Sequence, residues 1–162
     1  MFRRKVFTIF MALCFLLYCI IASRLLLFRN AAQFSQLVER IGLPRHYSSY
    51  NLVPFKTIIG YSRAFVDRSM SRGIPLQNLV GNVLAFMPLG FFLPFFSKKM
   101  AALKRFVITV SVLIVSVELA QFIFQMGSMD IDDFILNLAG ALIGFAICTH
   151  RPVNKLLEFR SY

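Results

Sequence analysis

The 162-residue sequence contains no Trp, 7 acidic residues against 18 basic ones, two His and three Cys. Each shortage excludes something. Without Trp, an aromatic belt at a membrane surface has to be built from Tyr and from the 19 Phe. Cys14, Cys19 and Cys148 sit inside apolar runs with no metal-ligand spacing and no acidic or His companions. They read as inert buried thiols, and no metal or other cofactor is expected. His46 falls in a loop and His150 at the far end of the last apolar run, so they assemble neither a Ser-His-Asp triad nor a two-His metal site.

What is abundant is hydrophobic surface. At 58% apolar residues, a soluble domain of this length could not hide it all, and the residues lie in long blocks rather than in amphipathic stripes. Four blocks of spanning length stand out: 6–28, 76–96, 106–126 and, when the last is started near Ile131, 131–149. The expected fold is all-α: a single membrane domain over 1–162, built as a four-helix bundle with an outer loop, 29–75, carrying short interfacial helices. The net charge of +11 does not indicate nucleic acid, because Lys and Arg mostly flank the blocks instead of lining one soluble helix. Arg3-Arg4-Lys5 followed by an apolar run also fits a signal peptide. This run is longer than a typical h-region, and no small-residue cleavage site follows it, so an uncleaved anchor is expected.

Charge placement sets the expected orientation. Arg3, Arg4 and Lys5 precede the first span. Lys98, Lys99, Lys104 and Arg105 separate the second and third, and Arg151, Lys155 and Arg160 follow the fourth. With an even number of spans these clusters share one side, which the positive-inside rule makes cytoplasmic, although the long loop carries basic residues of its own. Within that loop, Phe34, Leu37, Val38 and Ile41 recur at helical spacing, ended by Gly42 and Pro44. A second helix is expected from about Thr57 to Met70, with Ile58, Tyr61, Phe65 and Arg68 on one face.

The polar residues inside the spans carry the functional signal, because ionisable groups there are expensive to keep. Asn78 and Asn82 share a helix face near the start of the second span. Glu118 lies about 12 Å below the outer end of the third span, with Gln121 and Gln125 continuing outward. Asp130, Asp132 and Asp133 occupy the short outer turn, and Asn137 follows one turn into the fourth span. Three spans therefore direct polar side chains toward one outer-leaflet region. Glu118 reads either as a ligand-contacting carboxylate or as an interhelical hydrogen-bonding post. Asp132 and Asp133 also suit capping of the helix that follows them. Pro88 and Pro94 should bend the second span, and Gly140 and Gly144 form a GxxxG pair suited to close helix contact. Asn78-Leu-Val-Gly81 is echoed by Asn137-Leu-Ala-Gly140, either as a trace of two similar hairpins or as independent selection of small residues.

These residues resemble a known pattern. Asn51-Leu52-Val53-Pro54-Phe55 is similar to the NLxPF signature of the VanZ-like family of small bacterial membrane proteins. Asn78, Asn82, Phe86, Pro88 and Gly90 resemble that family's second-span helix. Glu118 with Gln121 and Phe122, and Asp130, Asp133, Asn137 and Gly140, resemble its two later elements. The resemblance implies a multi-pass protein of a bacterial cell membrane and an association with low-level resistance to teicoplanin, a lipid-tailed glycopeptide. It brings no settled catalytic mechanism. Three functions then compete. The first is binding of a lipid or lipid-tailed ligand at the outer leaflet by Asn51, Asn78, Asn82, Glu118, Gln121, Asp130, Asp133 and Asn137. The second is an enzyme acting on a lipid-linked substrate with Glu118 as catalytic base, and the third, least favoured, is a proton-coupled carrier.

Overall fold

The computed structural model describes residues 2–27, 50–123 and 129–150. In chain order the elements are helix α1 (Phe2–Leu27), strand β1 (Tyr50–Asn51), helices α2 (Lys56–Asp67) and α3 (Gly73–Phe96), a 3-10 turn (Lys98–Ala101), helix α4 (Leu103–Ile123), strand β2 (Met129–Asp130) and helix α5 (Ile131–Thr149). The helices α1, α3, α4 and α5 are long and apolar enough to cross a membrane. The shortest, α5 with 19 residues, rises about 28 Å, close to the thickness of a hydrocarbon core. The protein is an all-α membrane protein, with four spans among the described residues.

Several boundaries lie beyond the apolar blocks. α3 starts at Gly73 rather than Leu76, with Pro75 in its first turn, where a missing N–H costs nothing. α4 starts at Leu103, so Lys104 and Arg105 are helical. α2 begins one residue earlier than Thr57 and stops short of Met70. Arg68 there turns left-handed (φ 58°), and the Asp67 carboxylate accepts from the Ser69 amide at 2.9 Å. The inward face of α2 is also different from the one expected. Thr57, Ile58 and Tyr61 are half-buried and Ala64 is buried, whereas Phe65 is exposed beneath the Arg72 guanidinium, 5.4 Å from its ring centre. The expected helix over Phe34–Ile41 lies outside the described residues.

Backbone-on-backbone packing joins α3 to α5. A Cβ on Gly140 would overlap the Val83 carbonyl, one on Gly144 the Met87 carbonyl, and one on Gly90 the Ala141 carbonyl. In lipid, close approach of this kind replaces the hydrophobic drive available in water. The matched steps Val83–Gly140 and Met87–Gly144 make the two helices parallel. α4 packs antiparallel against α5: Phe106 meets Phe145 with ring centres 4.5 Å apart, and Ile114 shares a buried cluster with Ala141, Val110 and Phe86.

α1 is peripheral. Only 6% of its apolar window is buried, against 33% for α5. It is held by Phe15 against Phe92 and Phe96 and by the Tyr18 hydroxyl, which donates to the Ala85 carbonyl at 2.8 Å. A further tie is the Gln121 amide, which donates to the Leu26 carbonyl at 2.8 Å. Ala85 is next to Leu84, whose carbonyl Pro88 deprives of its intrahelical amide. α3 nonetheless continues through Pro88 and Pro94. The sequence echo is not a packing repeat. Gly140 is in backbone contact, whereas a Cβ on Gly81 would meet nothing nearer than the Gln77 side chain at 4.0 Å.

Candidate functional site

The polar residues gather where α1 and α4 end and α3 and α5 begin. Asp132, fully buried in the first turn of α5, is the hub. Its Oδ1 accepts from the Phe55 amide at 2.5 Å, and its Oδ2 accepts from the amides of Thr57 at 2.7 Å and Ile58 at 3.0 Å. Phe55 precedes α2 without any side-chain cap of its own and adopts a left-handed conformation (φ 65°) that few non-glycine residues tolerate. A carboxylate from a distant helix thus satisfies the orphan amides of α2 and complements its dipole. That explains the Pro54-Phe55 turn: it aims consecutive N–H groups at Asp132.

Asp130 adds a second layer. Its Oδ1 accepts from the Asp132 amide at 2.9 Å, which makes Asp130, and not Asp132 or Asp133, the cap of α5. The expected capping role fails because the helix already begins at Ile131. Asn51 Nδ2 donates to Asp130 Oδ1 at 3.1 Å and to Thr57 Oγ1 at 3.0 Å, and Thr57 Oγ1 donates to Asp130 Oδ2 at 2.6 Å. β1 and β2 pair in parallel here, Asn51 opposite Asp130, over two residues each. Both carboxylates fasten the surface segment 50–67 onto the bundle.

Deeper lies a different set. Among the described residues Glu118, 5% exposed, meets the Asp130 amide, at 3.5 Å. Phe106 against Phe145 sets the antiparallel register, so Glu118, 12 residues beyond Phe106, comes beside Asp133, 12 residues before Phe145. The Asp133 carboxylate accepts from Asn82 Nδ2, and Asn137 lies one turn deeper on α5. The charged groups acting on Glu118 are Asp133 and Asp130, both acidic. Asn137 is 2% exposed, and its side-chain oxygen has no hydrogen-bond partner among the described residues.

Two expected members stand apart. Asn78 folds back onto its own helix, donating to the Ile74 carbonyl at 2.9 Å at the exposed start of α3, because i to i−4 bonding satisfies its amide locally. Gln121 directs its amide N–H to α1 and ties α4 to it. Gln125 and His46 lie outside the described residues. Two residues joined to the site without having been expected there are Thr57 and, as a clamp on α2, Asp132. The only signal for either was the Pro54-Phe55 turn just ahead of an amphipathic stretch. Among the described residues, no three His, Cys, Asp or Glu side chains converge as a metal-ligand set.

The profile of one protein family, VanZ/LLP1, matches residues 15–153, a stretch holding every site residue named above. The chain belongs to the VanZ/LLP1 family. It is 34% identical over 102 residues to Protein VanZ of Enterococcus faecium, an overlap of 63% of this chain and 53% of that protein. The chain thus aligns with about half the length of that VanZ relative. No solved structure matches the chain.

Proposed function

We propose that this VanZ-like membrane protein lowers susceptibility to teicoplanin-type lipoglycopeptides by engaging an amphiphilic or lipid-linked envelope ligand at its polar site. In this reading the site faces the outer leaflet and both termini are cytoplasmic, in keeping with the basic residues that flank the other ends of the spans. The observation that carries it is the meeting of buried Glu118 with Asp133 and Asp130, with Asn82 joining Asp133 from a third span and the Asn137 oxygen, without a partner among the described residues, one turn deeper on α5. Ionisable and polar groups buried within the spans of a membrane protein are functional by default. Lys56, Arg63 and Arg72, on and beside α2, suit anionic head groups.

The test is graded expression in a susceptible bacterium. Teicoplanin resistance should rise with protein level, fall with Glu118→Gln, and leave the masses of drug and envelope lipids unchanged. Resistance that is independent of expression removes the proposal. The second reading, an enzyme with Glu118 as general base, draws on the placing of buried Glu118 beside Asp133, two carboxyl groups together within the spans. Lipid extracts that differ between native protein and Glu118→Gln would favour the enzyme.

A further inference from the structure

We propose that the surface segment 50–72 binds the anionic phospholipids of the leaflet at its level, with its basic residues on the phosphates and an adjacent apolar row among the acyl chains. The inference goes beyond the ligand reading: it concerns the membrane around the protein and makes no use of Glu118. Its first support is position. Asp132, in the first turn of α5, holds the start of α2, and Asn51 is tied to Asp130 just ahead of α5. Arg72 directly precedes α3. Both ends of the segment are thus fixed where two spans begin, which is the level of lipid head groups. The second support is the division of α2 into faces. Thr57, Tyr61 and Ala64 face the bundle, Ala64 buried and the other two half-buried. Lys56 and Arg63 lie two turns apart on one exposed row, and Ile59 and Val66 two turns apart on the next. Val66 is 80% exposed and Ile59 46%. An open apolar row beside a basic one matches a bilayer interface, where acyl chains and phosphates lie side by side.

Charge selects the head group. Residues 50–72 contain Lys56, Arg63, Arg68 and Arg72 against a single acid, Asp67, whose carboxylate accepts from the Ser69 amide at 2.9 Å. Each Lys or Arg near an anionic bilayer adds an attraction that a zwitterionic bilayer does not offer. Arg72 is already braced for this role. Its guanidinium lies over the Phe65 ring, 5.4 Å from the centre, which steadies a fork of N–H donors suited to phosphate. The exposed Ile74 and Leu76 that follow begin the lipid-facing side of α3, so the basic residues border hydrocarbon. A soluble polyanion would match the charges but neither the apolar row nor this border.

The chain has no Trp, so Val66→Trp supplies a single fluorophore within the apolar row. The full-length variant is placed in nanodiscs of phosphatidylglycerol and phosphatidylcholine in equal amounts, with bromine on the acyl chains of one lipid or the other. Quenching should report a preference for phosphatidylglycerol of at least about tenfold, as expected when two or more basic residues lie near the surface. Adding Lys56→Gln and Arg63→Gln together should remove most of that preference. Raising the salt concentration should do the same, a reading that needs no charge variant to fold. Equal quenching by the two lipids overturns the choice of an anionic partner. Quenching by neither would mean that protein, from elsewhere in this chain or from a second copy, covers the apolar row, and it overturns the proposal. A preference that survives loss of the two charges, or high salt, overturns it as well. Glu118→Gln should leave the quenching unchanged, and quenching that vanished with Glu118 would overturn the separation of this surface from the polar site. Resistance that is independent of expression, with the lipid preference intact, removes the functional reading and supports this one.

Discussion

Asp132 and Glu118 are both buried carboxylates at the same end of the bundle, yet the fold treats them differently. Asp132 receives three backbone amides at 2.5 to 3.0 Å, while Glu118 receives one at 3.5 Å. A carboxylate accepting several short amide bonds has spent its hydrogen-bonding capacity on the structure. One that is buried with a single weak contact holds capacity in reserve for something else. The contrast divides the acidic cluster into an outer layer, Asp130 and Asp132, that fastens segment 50–67, and an inner group, Glu118 with Asp133 and Asn137, where binding is proposed.

The sharpest way to break the comparison is to neutralise each acid in turn. Asp132→Ala strands three amides and removes the charge at the start of α2. The cost should be about 3–5 kcal/mol, summing roughly 1–3 kcal/mol for each group left unsatisfied and allowing for partial rescue by water. Limited proteolysis should then cut between residues 50 and 67 well before the bundle melts. Glu118→Gln should leave the melting temperature in detergent close to that of the native protein, or raise it, because it discharges a buried group with little structural bonding. If Glu118→Gln released segment 50–67 as Asp132→Ala does, the division into two layers would be wrong.

Next in size is the platform on which both layers stand. Gly140→Leu would drive a side chain into the Val83 backbone and Gly144→Leu into that of Met87. Overpacking of this kind costs about 1–3 kcal/mol and forces α3 and α5 apart. Since Asn82 and Asp133 lie on those two helices, ligand affinity should fall along with stability. Gly81→Leu is the control, because the space around Gly81 is open. Thermal melts of the three variants should show Gly81→Leu within about 0.5 kcal/mol of the native protein.

Much of this was legible in the sequence, for reasons that can be named. Apolar blocks of spanning length reveal helices in lipid because every backbone polar group there must be satisfied within its own segment. Gly140 and Gly144 announced a close contact, since only a missing Cβ allows it. Asn82, Glu118, Asp133 and Asn137 were visible because a polar residue inside an apolar run has few innocent explanations. What escaped was pairing across long chain separations. Nothing local to Asp132 indicates that it caps a helix some 75 residues earlier, and two-residue strands leave no alternation to read. Asn78 misled for a related reason. Its spacing from Asn82 places the two on one face, but whether that face meets a partner depends on depth, and at the exposed start of α3 the cheaper bond is to Ile74.

A smaller effect tests the outer layer from the side of the amides. Phe55 pays for a left-handed backbone with its φ of 65°, at about 1–2 kcal/mol for an L-residue. Phe55→Gly should remove that strain while keeping the amide directed at Asp132. Phe55→Ile adds a β-branch to a conformation that resists it. The expected order in chemical denaturation is Gly at or above the native protein and Ile below it by about 1 kcal/mol. A reversed order would mean that the half-exposed Phe55 ring, and not the amide, holds the turn.

The smallest expected effect concerns α1, which touches neither layer. Its polar ties are Tyr18 to the Ala85 carbonyl and Leu26 to Gln121, and most of its surface is apolar and exposed to lipid. Interhelical hydrogen bonds within membranes average about 0.6 kcal/mol, so Tyr18→Phe and Gln121→Leu should each shift the melting midpoint only slightly. Because the two ties leave α1 at residues two turns apart, Tyr18 and Leu26, and share no partner residue, the double variant should be additive. Ligand affinity should be unchanged in all three, since the contacts that set Glu118 beside Asp130 and Asp133 involve α4, β2 and α5. A loss of binding in Gln121→Leu, with stability preserved, would instead bring Gln121 back into the site and extend the inner group outward along α4.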